Sequence, residues 1–233
     1  MSTQMQIVIS VALTVLAYAA SRRLHARYPS PLTAPAVVAS VGIVMILGVC
    51  GMQYASYRRG AEPLVALLGP ATAALAIPLY KHRRVIVAYA LPALAGLACG
   101  AVATLTAAVT LAVGCGLSPI LVRSIGIKSV TTPIAVELAP LVGGDPALTV
   151  PLVVATGLLG AMLGPWLLSR VGVHDPVARG LAFGTVSQGF GTARAAAEGE
   201  IQGAVAGVAM GVAAVLVSFV APTLIPVLLR VLK

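Results

Sequence analysis

The sequence predicts an all-α polytopic membrane protein, with about seven spans, a re-entrant segment and an inverted repeat of discontinuous helices. Three observations predict it. Only 9% of the 233 residues are charged, against about a quarter in soluble chains, while 59% are hydrophobic and the mean hydropathy is +1.03. Uncharged runs cover Met1 to Ser21, Tyr28 to Tyr57, Pro63 to Tyr80, Val85 to Val122, Pro146 to Ser169 and Ile201 to Leu229. Apolar stretches of about 18 or more residues read as membrane helices, whereas a barrel strand needs only about ten alternating ones. Proline and glycine also interrupt some runs at membrane depth, where broken backbone is tolerated only against protein or a water-filled cavity. Soluble enzyme, secreted disulfide scaffold and disordered tail are all excluded.

The spans are placed at about 6 to 21, 32 to 52, 63 to 80, 86 to 113, 147 to 169, 177 to 196 and 202 to 229. The first run carries no positive charge in Met1 to Ser10 and continues to Ser21 before meeting Arg22 and Arg23. It reads as a retained span, neither a secretory signal nor a transit peptide. Helix starts are legible as a capping residue followed by proline, in Ser118-Pro119, Asp145-Pro146 and Asp175-Pro176. Asp145 and Asp175 are therefore read as caps. Thr132-Pro133 repeats the form inside an apolar stretch, and Gly69-Pro70 is a weaker version.

A single crossing by 118 to 143 puts the later basic loops on the wrong side of the membrane. If that segment dips in and returns, one face collects Arg22, Arg23, Arg27, Lys81, Arg83, Arg84, Arg170, Arg179, Arg230 and Lys233. The other face keeps Arg58, Arg59, Arg123, Lys128 and Arg194. The cytoplasmic excess of Lys and Arg favours this re-entrant arrangement, with the N-terminus outside. Residues 1–233 then form one integral membrane domain, with repeat 1 at about 32–113, the re-entrant segment at 118–143 and an inverted repeat 2 at about 147–229. Gly69-Pro70-Ala71-Thr72 interrupts the middle of the first repeat; Gly184, Gly189 and Gly191 interrupt the second.

The net charge of +9 does not indicate nucleic-acid binding, because its clusters lie between apolar runs as orientation signals. Cys50, Cys99 and Cys115 read as small buried hydrophobes, with no zinc or disulfide spacing. His25, His82 and His174 sit at loop edges as solvated side chains. Glycines four apart, such as Gly160 with Gly164 and Gly180 with Gly184, predict close helix packing, and a homodimer through such a face is expected.

Three polar stretches carry the candidate chemistry: Leu68 to Ala73, Lys128 to Pro133 with Glu137, and Gly184 to Arg194. A half-helix starting at Pro133 directs free N–H groups and a positive dipole end into the protein, where carboxylate or phosphate binds. Thr131 and Thr132 add hydroxyls there. Glu137, one turn on, either carries a proton, helps hold sodium, or pairs with Lys128 or Arg194. Arg194 is read as the counter-charge of an anionic substrate or as a membrane-edge anchor. Glu198 and Glu200 are expected to complement the last helix's dipole in water. The substrate-binding candidates are Thr72, Ser129, Thr131, Thr132, Ser187, Gln188, Thr192 and Arg194, with Glu137 for coupling to H+ or Na+ and no cofactor or metal. No nucleophile lies beside a base, so enzyme activity is not expected.

At these stretches the chain resembles the LrgB/CidB family, antiholin-like or holin-like bacterial membrane proteins related to the plastid glycolate/glycerate translocator. Leu68 to Tyr80, Lys128 to Ala135, Gly143-Gly144, and Pro176 to Ala193 carry the resemblance. Relatives often have histidine where this chain has Gln188, which removes a proton relay but leaves a hydrogen-bonding amide. The resemblance implies a multi-pass protein of the bacterial inner membrane. It implies either a carrier of small carboxylates such as glycolate, glycerate or pyruvate, or a regulator of murein hydrolase export and lysis working with a smaller LrgA/CidA-like partner. Broken helices and intramembrane charge favour the carrier.

Overall fold

A computed structural model describes residues 3–28, 30, 33–67, 70, 73–74, 76–81 and 83–232. The described residues are helical throughout, with no strand among them, in two compact units, 1–74 and 75–233.

In unit 1, α1 (Thr3–Arg27) packs against α2 (Pro35–Val49), α3 (Tyr54–Gly60) and α4 (Glu62–Ala66). The Thr14 hydroxyl donates to the Ser10 carbonyl at 2.7 Å and shares a 2.8 Å hydrogen bond with the Tyr57 hydroxyl, which ties α3 to α1. Gln6, Ser10, Gly51, Met52, Gln53 and Ser56 line a cavity of about 370 Å³ in this unit.

Unit 2 contains α5 (Ala76–Lys81), α6 (Arg83–Ala88), α7 (Ala90–Gly114), α8 (Pro119–Gly126), α9 (Thr132–Leu141), α10 (Pro146–Arg170), α11 (Pro176–Glu198) and α12 (Glu200–Val231). Among the described residues, four helices are long and apolar enough to cross a membrane: α1 from Gln4, α7, α10 and α12. The chain is thus an all-α, multi-pass membrane protein with several apolar helices. The proline-led starts behave as expected at two places: Asp145 Oδ1 accepts from Ala147 N–H at 2.7 Å and Asp175 Oδ1 from Ala178 N–H at 2.8 Å.

Helix α11 corrects the expectation of a crossing over 177 to 196 interrupted at its glycines. Its backbone breaks at Gln188, with φ 48° and ψ −128°, and the two halves fold back on each other. Arg179 Nε donates to Glu198 Oε2 at 2.8 Å, across 19 residues that would span about 28 Å in a straight helix. A Cβ at Gly191 would strike the Phe183 carbonyl and Ser187, so the halves touch along their length. The break falls on a glutamine and not on Gly184, Gly189 or Gly191. Gly184 instead lies against the Ala206 carbonyl of α12, and Gly160 of α10 lies against the Ser187 hydroxyl. Small residues let three backbones converge around the kink.

The chain between Ser118 and Asp145 also leaves and returns. The Asp145 N–H donates to Ser124 Oγ at 2.9 Å, and Gly144 packs on the Ser124 backbone. The two excursions have their bases at opposite ends of α10: Asp145 caps its start, while the guanidinium of Arg179 donates to Ser169 Oγ at its end.

Two further expectations change. Arg194 lies 3.7 Å from Glu198, at the Arg179 end of the unit, and Arg230 lies at the far end of the long α12 from Glu200. The expected sorting, with Arg179 and Arg230 together and Arg194 opposite, assumed that α11 crosses once. Cys50, Cys99 and Cys115 are exposed, not buried. An apolar run in a membrane protein does not distinguish core from lipid-facing surface, because lipid is as apolar as the core.

Candidate functional site

The two excursions meet at their tips. The Gln188 side-chain amide donates from Nε2 to the Lys128 carbonyl at 3.0 Å, joining the break in α11 to the stretch between α8 and α9. Gln188 is 5% exposed, and its φ of 48° with ψ of −128° is the glycine-favouring conformation of a type II′ turn. A non-glycine residue held there costs about 1–3 kcal/mol and persists only when its surroundings over-determine it. Here the side-chain bond to Lys128 and the Thr192 hydroxyl, which donates to the Gln188 carbonyl at 2.8 Å, do so.

Two half-helices start at this junction. Helix α9 begins at Thr132 after the extended Thr131, with Pro133 in its first turn, and the returning half of α11 begins at Gly189. No side chain among the described residues caps α9, so its first N–H groups have no capping partner there. The cap falls one residue before the expected Thr132. Lys128 supplies a charge: its ammonium donates to Ser129 Oγ at 3.3 Å and makes no ion pair among the described residues. Two positive dipole ends thus start at this junction beside the Lys128 stretch, whose ammonium makes no ion pair among the described residues, an arrangement suited to an anion.

The candidates divide accordingly. Ser129, Thr131, Thr132, Ser187 and Gln188 lie on the two tips, with Ser129, Ser187 and Gln188 buried. Thr192 is buried behind the break, where its hydroxyl braces the Gln188 carbonyl. Thr72 lies outside the described residues. Glu137 is exposed on α9 and makes no ion pair among the described residues, so neither expected pairing forms. Arg194 lies at the base of the folded α11, facing Glu198, and its Nε is buried without a hydrogen-bond partner among the described residues.

Sequence reasoning missed the Arg179–Glu198 pair. Arg179 is 8% exposed; it grips Glu198 with Nε and a terminal nitrogen and donates to the Val173 carbonyl at 2.9 Å. Glu198 was expected to complement α12 in water; instead it neutralises this buried guanidinium. Glu200 does start α12, exposed, and pairs with Lys81 at 3.2 Å. A separation of 19 residues matches no helical or strand period, so only the fold reveals the pair.

These features define an α-helical, multi-pass membrane protein whose polar residues gather where two folded-back segments touch. The chain belongs to the LrgB-like family, whose model matches residues 14–227. It is 36% identical over 194 residues, 83% of this chain and 84% of the relative, to the uncharacterized protein YxaC of Bacillus subtilis (strain 168). It is 35% identical over 188 residues, 81% of this chain and 84% of the relative, to YwbG of the same organism. A holin-like protein CidB of Staphylococcus epidermidis is 32% identical over 195 residues, 84% of this chain and 85% of the relative. No solved structure matches. Family membership makes the chain a multi-pass bacterial membrane protein with a transport or regulatory role, and not an enzyme.

Proposed function

We propose that the chain is a holin-like membrane protein that regulates lysis and murein hydrolase export with an LrgA/CidA-like partner. The relatives named holin-like protein CidB support this reading most directly. A second reading is favoured by one observation, the meeting of Lys128, Gln188 and two half-helix starts, of which that of α9 has no side-chain cap. On this reading the protein carries a small carboxylate of the glycolate, glycerate or pyruvate type by alternating access. Paired interruptions whose half-helix ends meet are the geometry of a transporter site, whereas a simple pore has no use for a strained, buried glutamine. The two readings are compatible if carboxylate flux drives the effect on lysis.

In this proposal the segments 118–143 and 176–198 are re-entrant, entering from opposite faces, and α7, α10 and α12 cross. The face bearing Lys81, Arg170, Arg179 and Arg194 is cytoplasmic, by the excess of positive charge there. The inverted repeat and single membrane domain remain parts of the proposal, as do a homodimer and coupling to H+ or Na+. Glu137, exposed on α9, then faces lipid, water, a partner or the coupling ion. The half-helix C-terminal carbonyls at Gly126 and Ser187 are alternative cation ligands.

Uptake of radiolabelled glycolate, glycerate and pyruvate into proteoliposomes, with release of a large dye measured in parallel, separates the readings. Saturable uptake without dye release supports the carrier. Dye release with carboxylate uptake equal to that of empty liposomes supports a pore and ends the carrier reading.

A further inference from the structure

We infer that Lys128, and not Arg194, is the cation that receives the anionic group of the transported solute; this rests on the carrier reading above. Three observations carry it. First, the charge of Arg194 is already directed to Glu198, 3.7 Å away at the base of the folded α11, where the Glu198 carboxylate is also held by Arg179. Second, Lys128 is half-buried, with only the neutral Ser129 hydroxyl, at 3.3 Å, as a partner among the described residues. An ammonium withdrawn from water without a counter-ion is unfavourable, and Lys128 belongs to the stretch that leads into α9 and accepts the Gln188 bond at the break in α11. Third, the residues around it keep unused hydrogen-bonding capacity. Gln188, 5% exposed, uses its amide nitrogen on the Lys128 carbonyl and leaves its own side-chain carbonyl oxygen unbonded among the described residues. An ammonium for the carboxylate, with the Gln188 amide oxygen for a neighbouring hydroxyl, describes a small 2-hydroxy acid. Its neutral amide analogue lacks the feature that Lys128 recognises.

The test uses the purified full-length protein and two probes, glycolate and its uncharged isostere glycolamide. The native protein is expected to prefer glycolate. Lys128→Met loses that preference, with glycolate affinity falling about 10- to 100-fold, the range expected for losing a charged hydrogen bond. Lys128→Arg retains it within about tenfold. Arg194→Gln lowers thermal stability but leaves glycolate affinity within about threefold. Native affinity in Lys128→Met, or a loss in Arg194→Gln equal to that in Lys128→Met, overturns the assignment. Acetylation of the native protein, read residue by residue by mass spectrometry, needs no variant to fold. Glycolate is expected to protect Lys128 and not Lys81, and equal labelling with and without glycolate also overturns it. Failure of the native protein to bind glycolate, glycerate or pyruvate ends the carrier reading itself, whereas binding that ignores Lys128 ends only this inference.

Discussion

The Arg179 guanidinium grips the Glu198 carboxylate through two hydrogen bonds, at 2.8 and 3.0 Å, and so closes α11 into a hairpin with both ends at one face of the unit. The pair is almost shielded from water, with side chains 10% and 13% exposed. Removing one partner from a buried ion pair leaves the other charge unpaired, which costs about 3–5 kcal/mol. Glu198→Gln is therefore expected to lower the melting temperature in detergent sharply. Arg179→Gln is also expected to lower it, because its bonds to Val173 and Ser169 go as well, although Arg194, 3.7 Å away, still faces the Glu198 carboxylate. The exchange Arg179→Glu with Glu198→Arg recovers part of the loss, and a double variant no more stable than the worse single one speaks against the staple.

The strained residue at the hairpin tip makes a signed prediction. Gln188→Gly relieves a backbone conformation that disfavours side chains, while losing a side-chain bond worth about 1 kcal/mol. Gln188→Ala loses the same bond and keeps the strain. The glycine variant is expected to be more stable than the alanine variant by about 1 kcal/mol or more. The opposite order in thermal or denaturant unfolding rules out a φ of 48° at this position in solution.

Close packing around the hairpin separates two glycine substitutions. A methyl group at Gly184 meets the Ala206 carbonyl, which the α12 backbone cannot move aside, so Gly184→Ala costs about 1–3 kcal/mol. At Gly211 on α12 nothing lies within 4 Å. Gly211→Ala is expected to be neutral or to stabilise by up to about 1 kcal/mol through helix propensity. Similar melting temperatures for the two variants contradict the close approach of α11 to α12.

Membrane placement is read by cysteine accessibility in a background free of Cys50, Cys99 and Cys115. His174→Cys, just before the folded α11, and Ala197→Cys, in its last turn, are expected to label from the same side of oriented vesicles. Leu141→Cys, at the C-terminal end of α9, labels from the other side. Labelling of positions 174 and 197 from opposite sides would return α11 to a single crossing.

The polar stretches that the sequence singles out are the ones that meet. Lys128 to Thr132 and Ser187 to Gln188 stand out because polar residues inside apolar runs need a reason. The roles within them were less legible. Arg194 reads as the free cation because nothing in its neighbourhood of sequence announces Arg179, 15 positions earlier on the other half of the hairpin. Glu198 reads as solvated because the last turn of a helix ordinarily is. Lys128 reads as half of an intramembrane pair, yet Glu137 projects from an exposed face of α9.

By itself, the sequence determined the solvent and the vocabulary of this protein. Sparse charge and long apolar runs require helices in a bilayer, because lipid leaves backbone groups no partner but their own chain. Proline after a capping residue marks where those helices start, and the local hydrogen bonds of Asp145 and Asp175 depend on nothing distant. The tertiary structure decided the path between those starts. Whether α11 crosses or turns back depends on an ion pair across 19 residues and on a kink braced by Lys128 from another segment. Such contacts have no period along the chain, and an apolar pattern is the same for a helix that crosses and one that returns.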